Sequence, residues 1–278
     1  MLSNKLVLCT DLDRTLLPNG DYPEPANARA HFTRLVQHPD ILLVYVSGRD
    51  RKLMTEAISE YQLPQPHFAV TDVGATIYQV SGAGWQPLQS WQDRIAADWQ
   101  GMDSWQIREH MAITGPLQLQ PESKQAPYKL SYELHPTDKL TQSVNLLKQH
   151  LENLAINYNC IVSIDETKDL GLVDILPNSA DKRLALDFIS QTLDISSENF
   201  VFSGDSGNDL AVLLSPIKAT LVGNATPEVK QQASAELATH HGHTLYFAEQ
   251  YYAAGIIEGF IHYFPAMEHW LNRENNND

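Results

Sequence analysis

Residues 6–13 of the chain read LVLCTDLD, an apolar run that ends in two aspartates. Leu6–Cys9 has no polar position and no alternation, which is typical of a short strand buried on both faces of a parallel sheet. Asp11 and Asp13 follow where the chain would leave this strand. The stretch therefore predicts a central parallel strand with two carboxylates at its carboxyl end.

Apolar strands and amphipathic helices alternate on both sides of the middle of the chain. The predicted elements are helix 26–37, strand 41–46, helix 52–61, strand 68–70, helix 182–193, strand 200–202, a helix from 210 and strand 219–222. This alternation predicts an α/β fold with a doubly wound, Rossmann-like parallel sheet covered by helices.

The pattern changes over residues 80–177, which include four of the five tryptophans. An alternating strand is predicted over 128–134, an amphipathic helix over 141–154, and further strands over 161–164 and 172–176. We interpret this stretch as an inserted α/β cap domain with a mostly antiparallel sheet. The catalytic core would then comprise residues 1–79 and 178–278.

The composition limits the possible partners. The chain has 278 residues, 43% of them apolar, which allows one core with a smaller inserted domain. Its formal net charge of −15 argues against nucleic acid and against anionic membrane surfaces. No apolar run approaches the roughly 20 residues of a membrane helix. Cys9 and Cys160 resemble neither a disulfide framework nor a metal site, and we expect a soluble, cytoplasmic protein.

Polar segments follow four predicted core strands, and in an open parallel sheet these strand ends meet at one rim, where ligands bind. The segments are 11–15, 47–49, 204–209 and 223–225. Four aspartates are expected to converge there, which is costly without a cation because like charges raise each other's pKa. Oxygen ligands suit Mg²⁺, which would also allow an acidic protein to hold an anion. The four are Asp11, Asp13, Asp205 and Asp209.

Asp11 and Asp13 can supply two different groups for phosphoryl transfer, because alternate residues of a strand lie on the same side. One carboxylate can attack and form an aspartyl-phosphate, while the other gives a proton to the leaving oxygen and later takes one from water. A lone Asp-x-Asp pair is more often a solvated turn. The prediction therefore depends on the second acidic segment, 204–209.

Four parts of the chain resemble, in order, the motifs of the haloacid dehalogenase superfamily: residues 11–15 (DLDRT), Ser47, Lys182 and residues 204–209 (GDSGND). Within it the chain is most similar to the sucrose-phosphate phosphatase family, through further stretches at 73–78, 129–132, 173–177 and 254–258. The resemblance covers nearly the whole chain. It implies a Mg²⁺-dependent phosphatase of a sugar phosphate, with sucrose 6-phosphate as the first expectation and another phosphorylated disaccharide, sugar conjugate or small metabolite as the alternative.

The resemblance also implies a role for each matched residue. Asp11 would be the nucleophile and a metal ligand, and Asp13 the general acid/base with its carbonyl on the metal. Asp205 would ligate the metal directly, and Asp209 directly or through water. The others would serve phosphate or substrate: Lys182 neutralises the phosphoryl group, Ser47, Gly48 and Arg49 bind phosphate, Asn208 supports the site, and Lys129 of the cap contacts the substrate.

Three positions depart from the family pattern. Arg14 stands where asparagine is usual, Ser47 where threonine is common, and Arg183 where glycine is frequent. No chemical group that the mechanism needs is lost. Arg14 and Arg183 leave the sugar specificity open, because both could line the cleft.

Two other functions stay open at this point. One is a non-catalytic domain that binds a sugar phosphate or partners a sugar-phosphate synthase, and the other is a transferase that passes the phosphoryl group to a second sugar. The histidines at 240, 241 and 243 lie in a polar loop without an identifiable further ligand, and we predict that they do not bind a metal.

Overall fold

The computed structural model describes residues 5–111, 115–165, 168–239 and 244–272. The chain divides into two compact units, one formed by Met1–Pro87 with Lys182–Asp278 and the other by Leu88–Asp181. The histidines at 240, 241 and 243 fall outside the described residues, so the prediction about them stays a prediction. None of the helices in the described ranges has the length and apolar character to cross a membrane.

The first unit starts with alternating strands and helices. Its elements up to residue 87 are β1 (Leu6–Thr10), α1 (Ala28–Val36), β2 (Ile41–Val46), α2 (Arg51–Glu60), β3 (Phe68–Thr71), β4 (Thr76–Ser81) and β5 (Gly84–Pro87). The start of α2 illustrates how the sequence sets these bounds. The Asp50 side chain accepts a hydrogen bond of 2.8 Å from the Leu53 amide, which caps the helix.

The second unit follows with α3 (Gln89–Ala96), α4 (Ser104–His110), β6 (Gln118–Leu119), β7 (Leu130–Leu134), α5 (Leu140–Glu152), β8 (Tyr158–Asp165) and β9 (Leu170–Pro177). Its sheet has the order β6-β7-β9-β8 and is antiparallel throughout. Helix α5 buries Leu140, Val144, Leu147 and Leu151, which recur at helical spacing. These side chains join a core that contains Trp99 and Tyr132.

The chain then returns to the first unit with α6 (Lys182–Leu193), β10 (Phe200–Gly204), α7 (Leu210–Leu213), β11 (Lys218–Leu221), α8 (Pro227–Thr239), β12 (Leu245–Phe247), α9 (Tyr252–Tyr263) and α10 (Ala266–Asn272). Eight strands form one sheet in the order β12-β11-β10-β1-β2-β3-β4-β5. Pairing is parallel from β12 to β3. The predicted Rossmann-like core with an inserted α/β unit is confirmed.

The boundary of the insert differs from the predicted 80–177. Residue 80 lies inside β4, which forms an antiparallel hairpin with β5 and extends the large sheet to Pro87. Val80 pairs with Trp85 in this hairpin, and both pack against the core of the first unit. Trp85 therefore belongs to the first unit, and the second unit runs from Leu88 to Asp181.

Candidate active site

The chain leaves β1 with Asp11 and Asp13 on one side and Leu12 on the other. The Asp11 amide donates to the Ser203 carbonyl at 2.9 Å, which continues the β1–β10 pairing. Leu12 is fully buried in the core, Asp11 is 6% exposed, and Asp13 is partly exposed. The strand alternation thus buries the leucine in the core and turns both carboxylates to the rim.

Three of the predicted carboxylates form a buried cluster. Asp11, Asp205 and Asp209 each offer an oxygen within 4.8 Å of the others. Thr15 Oγ1 donates to Asp205 Oδ1 at 3.0 Å, which orients that side chain. The β1 and β10 ends meet here because Thr10 and Ser203 are register partners in adjacent parallel strands.

Asp209 is held by the segment that follows β10. Its Oδ2 accepts from the amides of Asp205 and Ser206, each at 3.2 Å, and from the Ser206 hydroxyl at 3.0 Å. A Cβ at Gly204 would lie 2.7 Å from the Asp209 side chain. Glycine is therefore required at the end of β10 for the carboxylate to take this position.

Lys182, the first residue of α6, inserts its ammonium between two of these carboxylates. Its Nζ lies 3.0 Å from Asp11 Oδ1 and 2.7 Å from Asp209 Oδ1. The side chain is 5% exposed. Burial lowers the pKa of Lys182, but the charges of Asp11 and Asp209 and the hydrogen bonds to them outweigh this and hold its pKa above the usual value. Lys182 is therefore a cation at the carboxylate cluster, and its contact with a phosphoryl group stays a prediction.

Among the described residues, Lys182 and Arg14 pair with this cluster, and their two positive charges do not balance its three carboxylates. Burial raises the pKa of Asp11 to about 7, with Asp209 and Asp205 adding to the rise and Lys182 opposing it. Burial and Asp209 likewise raise the pKa of Asp205 to about 6, although Arg14 Nε lies 3.4 Å from its Oδ2. A carboxylate-only donor set with this deficit of positive charge fits a hard divalent ion such as Mg²⁺.

Asp13 lies at the same rim, but its carboxylate is turned to Arg49 and does not join the buried cluster of Asp11, Asp205 and Asp209. Arg49 Nε donates to Asp13 Oδ2 at 2.8 Å and Nη2 donates to Oδ1 at 2.7 Å. Asn19 Nδ2 adds a third bond to Oδ1, also at 2.7 Å. Burial raises the pKa of Asp13, but these partners outweigh it and hold the pKa below the usual value. A bidentate guanidinium is a strong competitor for a carboxylate, which explains the turn of the side chain.

The segment after β2 lies at the same rim. Ser47 is 1% exposed, and its Oγ accepts from the Arg49 amide at 3.2 Å. Together with the carboxylates, this segment borders an open cavity of about 280 Å³. The lining residues are Asp11, Asp13, Arg14, Ser47, Gly48, Arg49, Leu53, Lys182, Asp205, Ser206 and Asn208. The cavity thus collects every predicted site residue of the first unit except Asp209, which is fully buried.

Lys129, predicted to contact the substrate, belongs to the second unit. It is 7% exposed, and its Nζ lies 3.8 Å from Asp174 Oδ2. Ser131 Oγ donates to the same carboxylate at 2.5 Å. Lys129 is thus buried next to a carboxylate of its own unit. Its contact with a substrate stays a prediction.

Sequence reasoning missed Thr15 and Ser206 as hydrogen-bond partners of the clustered carboxylates. Both lie inside the quoted motif segments, Thr15 two residues after Asp13 and Ser206 directly after Asp205, and these hydroxyl groups were the available signal. Arg14 does line the cavity, as considered from sequence, and its guanidinium is directed to Asp205. Arg183 instead pairs with Asp187 on the surface of α6 at 2.8 Å.

A family model described as sucrose-6F-phosphate phosphohydrolase matches residues 4–264. The chain belongs to this family. It is 43% identical to a HAD-like protein of Nitrosococcus oceani over 97% of this chain and 75% of that protein. It is 29% identical to the mannosylfructose-phosphate phosphatase of Agrobacterium fabrum over 92% of this chain and 96% of that protein.

A solved structure of a sucrose-phosphatase has a fold similar to that of this chain. The X-ray structure of the sucrose-phosphatase from Synechocystis sp. PCC6803, in complex with sucrose and phosphate, has a TM-score of 0.71 and 26% identity to this chain. The match covers 94% of this chain and 98% of that one. As a member of the sucrose-6F-phosphate phosphohydrolase family, the protein is a sugar-phosphate phosphatase of the haloacid dehalogenase superfamily.

Proposed function

We propose that this phosphatase hydrolyses sucrose 6-phosphate with Mg²⁺, through an aspartyl-phosphate formed on Asp11. The observation that carries the mechanism is the buried cluster of Asp11, Asp205 and Asp209 with Lys182 Nζ 3.0 Å from Asp11. The substrate is supported by the family and by the sucrose and phosphate in the Synechocystis relative.

In the first step an Asp11 carboxylate oxygen attacks phosphorus, and the bond from phosphorus to the sugar oxygen breaks. Asp13, which takes up a proton once the incoming dianion has drawn Arg49 away from it, gives that proton to the sugar oxygen, so the sugar leaves as a neutral alcohol. In the second step Asp13 takes a proton from water, which attacks the aspartyl-phosphate and releases inorganic phosphate. Asp11 and Asp13 are then restored to their starting states.

Five residues would bind and neutralise the phosphoryl group. Lys182 supplies a buried ammonium beside Asp11, and Arg49 supplies a guanidinium that the incoming dianion attracts away from Asp13. Ser47 and Gly48 offer a hydroxyl group and a main chain without a Cβ at the cavity wall, and Asn208 offers an exposed amide.

The metal ion would be held by the carboxylates of Asp11, Asp205 and Asp209 and by the Asp13 carbonyl. When bound, Mg²⁺ supplies positive charge to the equatorial phosphoryl oxygens, where charge builds up in phosphoryl transfer. The hydrogen bonds on Asp209 Oδ2 and the Lys182 ammonium at its Oδ1 favour a role for that residue through water.

A second substrate has its own support. The Agrobacterium fabrum relative is a mannosylfructose-phosphate phosphatase that matches over nearly its full length, so another phosphorylated disaccharide is the runner-up. Arg14, at the cavity wall, and Lys129 are the positions that would distinguish the sugars. Transfer to a second sugar, the synthase partner and the cytoplasmic location stay predictions.

The test is phosphate release from a panel of sugar phosphates, with Mg²⁺ and with a chelator. The panel comprises sucrose 6-phosphate, mannosylfructose phosphate, glucose 6-phosphate and fructose 6-phosphate. We expect chelator-sensitive turnover with the highest kcat/KM for sucrose 6-phosphate. Equal turnover across the panel would overturn the substrate and keep the mechanism, whereas undiminished turnover in chelator would overturn the metal. A phosphorylated second sugar in place of free phosphate would indicate a transferase.

A further inference from the structure

Arg14, directly after Asp13, has a backbone conformation that long side chains rarely adopt. Its φ is 57°, in the left-handed region. Such a residue persists only where its surroundings fix it. In this protein both polar groups of Arg14's main chain bond to asparagine side chains. The amide donates to Asn19 Oδ1 at 2.7 Å, and the carbonyl accepts from Asn224 Nδ2 at 2.5 Å.

Asn19 also reaches the carboxylate next to this turn. While its Oδ1 holds the Arg14 amide, its Nδ2 donates to Asp13 Oδ1 at 2.7 Å. One amide group thus fixes the main chain after Asp13 and the direction of the Asp13 side chain together. Arg49 also holds this carboxylate, but as a proposed phosphate ligand it would leave Asp13 when phosphate binds.

Asn224 connects the turn to a rigid part of the core. It is 9% exposed and follows β11, and its Oδ1 accepts from the Tyr252 amide at 2.9 Å at the start of α9. The Tyr252 hydroxyl in turn donates to the Tyr22 carbonyl at 3.0 Å, farther along the loop that carries Asp13. The loop after β1 is therefore anchored to α9 through one buried side chain.

We propose that Asn19 and Asn224, here called the asparagine clamp, are positioning residues that aim Asp13 at the oxygen of the leaving sugar. The inference rests on the proposed function, because it assumes that Asp13 is the general acid. A general acid must lie within hydrogen-bond reach of the atom that it protonates, so a loosened turn lowers the rate without removing any reacting group. Neither asparagine contacts the substrate in this scheme.

The test uses the dependence of the rate on the leaving group. A sugar alkoxide needs a proton to leave, whereas p-nitrophenolate leaves without one. kcat/KM covers the steps up to cleavage of the ester bond. Poor placement of Asp13 should therefore lower kcat/KM for the sugar phosphate that the wild type hydrolyses fastest, and spare kcat/KM for p-nitrophenyl phosphate. A general loss of folded structure would lower both alike.

The variants are Asn19→Asp and Asn224→Asp, because an aspartate keeps each acceptor oxygen and removes each amide donor. Asn224→Asp keeps the acceptor for the Tyr252 amide and loses the donor to the Arg14 carbonyl. The variant therefore breaks the bond to the turn and keeps the bond to α9. We expect kcat/KM for the sugar phosphate to fall about tenfold or more, with a change below about threefold for p-nitrophenyl phosphate. Asn153→Ala, an exposed position in the second unit, should change neither.

Asp13→Asn separates the two hypotheses. In one outcome, Asp13→Asn lowers kcat/KM for the sugar phosphate alone while the clamp variants lower kcat/KM for both esters. In that case the asparagine clamp does not position Asp13, and the role of Asp13 as the general acid stands. If Asp13→Asn lowers both esters equally, the acid role itself fails and the clamp loses its basis. An equal loss of both esters in the clamp variants, accompanied by a lower Tm, would assign the asparagines to folding alone.

Discussion

Lys182 Nζ lies 3.0 Å from Asp11 Oδ1, and both side chains are more than nine-tenths buried. The same ammonium is 2.7 Å from Asp209 Oδ1. One buried cation is therefore shared by two carboxylates that are 171 and 27 residues away along the chain. The position of Lys182 at the start of α6 creates this pair, and a cation at the proposed nucleophile is its chemical consequence.

Replacing this ammonium should weaken the fold as well as the activity. In Lys182→Ala the Asp11 and Asp209 carboxylates lose their shared partner, and removing one member of a buried ion pair costs about 3–5 kcal/mol. We expect a correspondingly lower free energy of unfolding in chelator at pH 8, partly restored by Mg²⁺, and a large loss of kcat. Denaturant unfolding with and without Mg²⁺ measures the first effect.

Arg183→Ala is the matched control, since the neighbouring Arg183 forms only a half-exposed i,i+4 pair with Asp187. Such pairs contribute about 0.3–0.5 kcal/mol. A loss of stability in Lys182→Ala no larger than that of the control would contradict the shared-cation interpretation.

Stability of the metal-free protein should fall as pH rises from about 4 to about 7. Burial raises the pKa of Asp11 to about 7 and that of Asp205 to about 6, so across this window the folded state holds protons that the unfolded state has released. The free energy of unfolding therefore decreases with pH across this window, by several kcal/mol. Asp13 has a lowered pKa, and its opposite contribution falls below this window.

Mg²⁺ should reverse the trend, because it stabilises the ionised carboxylates. Chemical denaturation at pH 5 and pH 8, in chelator and in Mg²⁺, checks both statements. Asp11→Asn removes the group with the larger shift and should flatten the metal-free profile. A wild-type profile that rises with pH in chelator would disprove the assignment of the raised pKa values.

The fold of the core could be predicted from the sequence because the core strands are contiguous apolar runs. The position of the candidate site could be predicted because its segments follow the ends of these strands. Parallel pairing then leaves little freedom: if β1, β2 and β10 are neighbours, Asp11, Ser47 and Asp205 must meet at one rim. Composition places the hairpin of Val80 and Trp85 in the insert, because its tryptophan matches the tryptophan-rich region that follows. Only strand pairing shows that it extends the large sheet.

The direction of Asp13 could not be predicted, since it depends on contacts that periodicity does not encode. The bidentate bond to Arg49 and the positive φ of Arg14 turn the carboxylate away from the other three. Asn224 contacts the Arg14 carbonyl across 210 positions of the chain. A single sequence gives no pattern for such a long-range hydrogen bond, and the same holds for the bond of Thr15 to Asp205, 190 positions away. The bond of the Ser206 hydroxyl group to Asp209 spans only three positions and was within reach.

Asp11→Asn should abolish turnover while the protein stays folded. The amide cannot form the aspartyl-phosphate, and losing a nucleophile lowers kcat by on the order of 10³-fold or more. The isosteric amide keeps a carbonyl oxygen that accepts from Lys182. Rapid-quench mass spectrometry of the wild type should detect a phosphoryl group on Asp11 during turnover. Phosphate release by Asp11→Asn at the wild-type rate would overturn the assignment of the nucleophile.

Gly204→Ala should weaken the metal site through Asp209. An added Cβ would lie 2.7 Å from the Asp209 side chain, so that side chain must shift from the amides that hold it. Disturbing the groups around metal ligands commonly costs about 10- to 100-fold in metal affinity. We therefore expect the Mg²⁺ concentration for half-maximal activity to rise by about that factor.

Gly207→Ala is the matched control in the same loop, because a Cβ there has no neighbour within 4 Å. It should leave the Mg²⁺ dependence close to that of the wild type. Titration of activity with Mg²⁺ compares the half-maximal Mg²⁺ concentrations of the two variants. If both respond alike, the position of Asp209 does not control metal binding, and its role would lie in holding Lys182 rather than the ion.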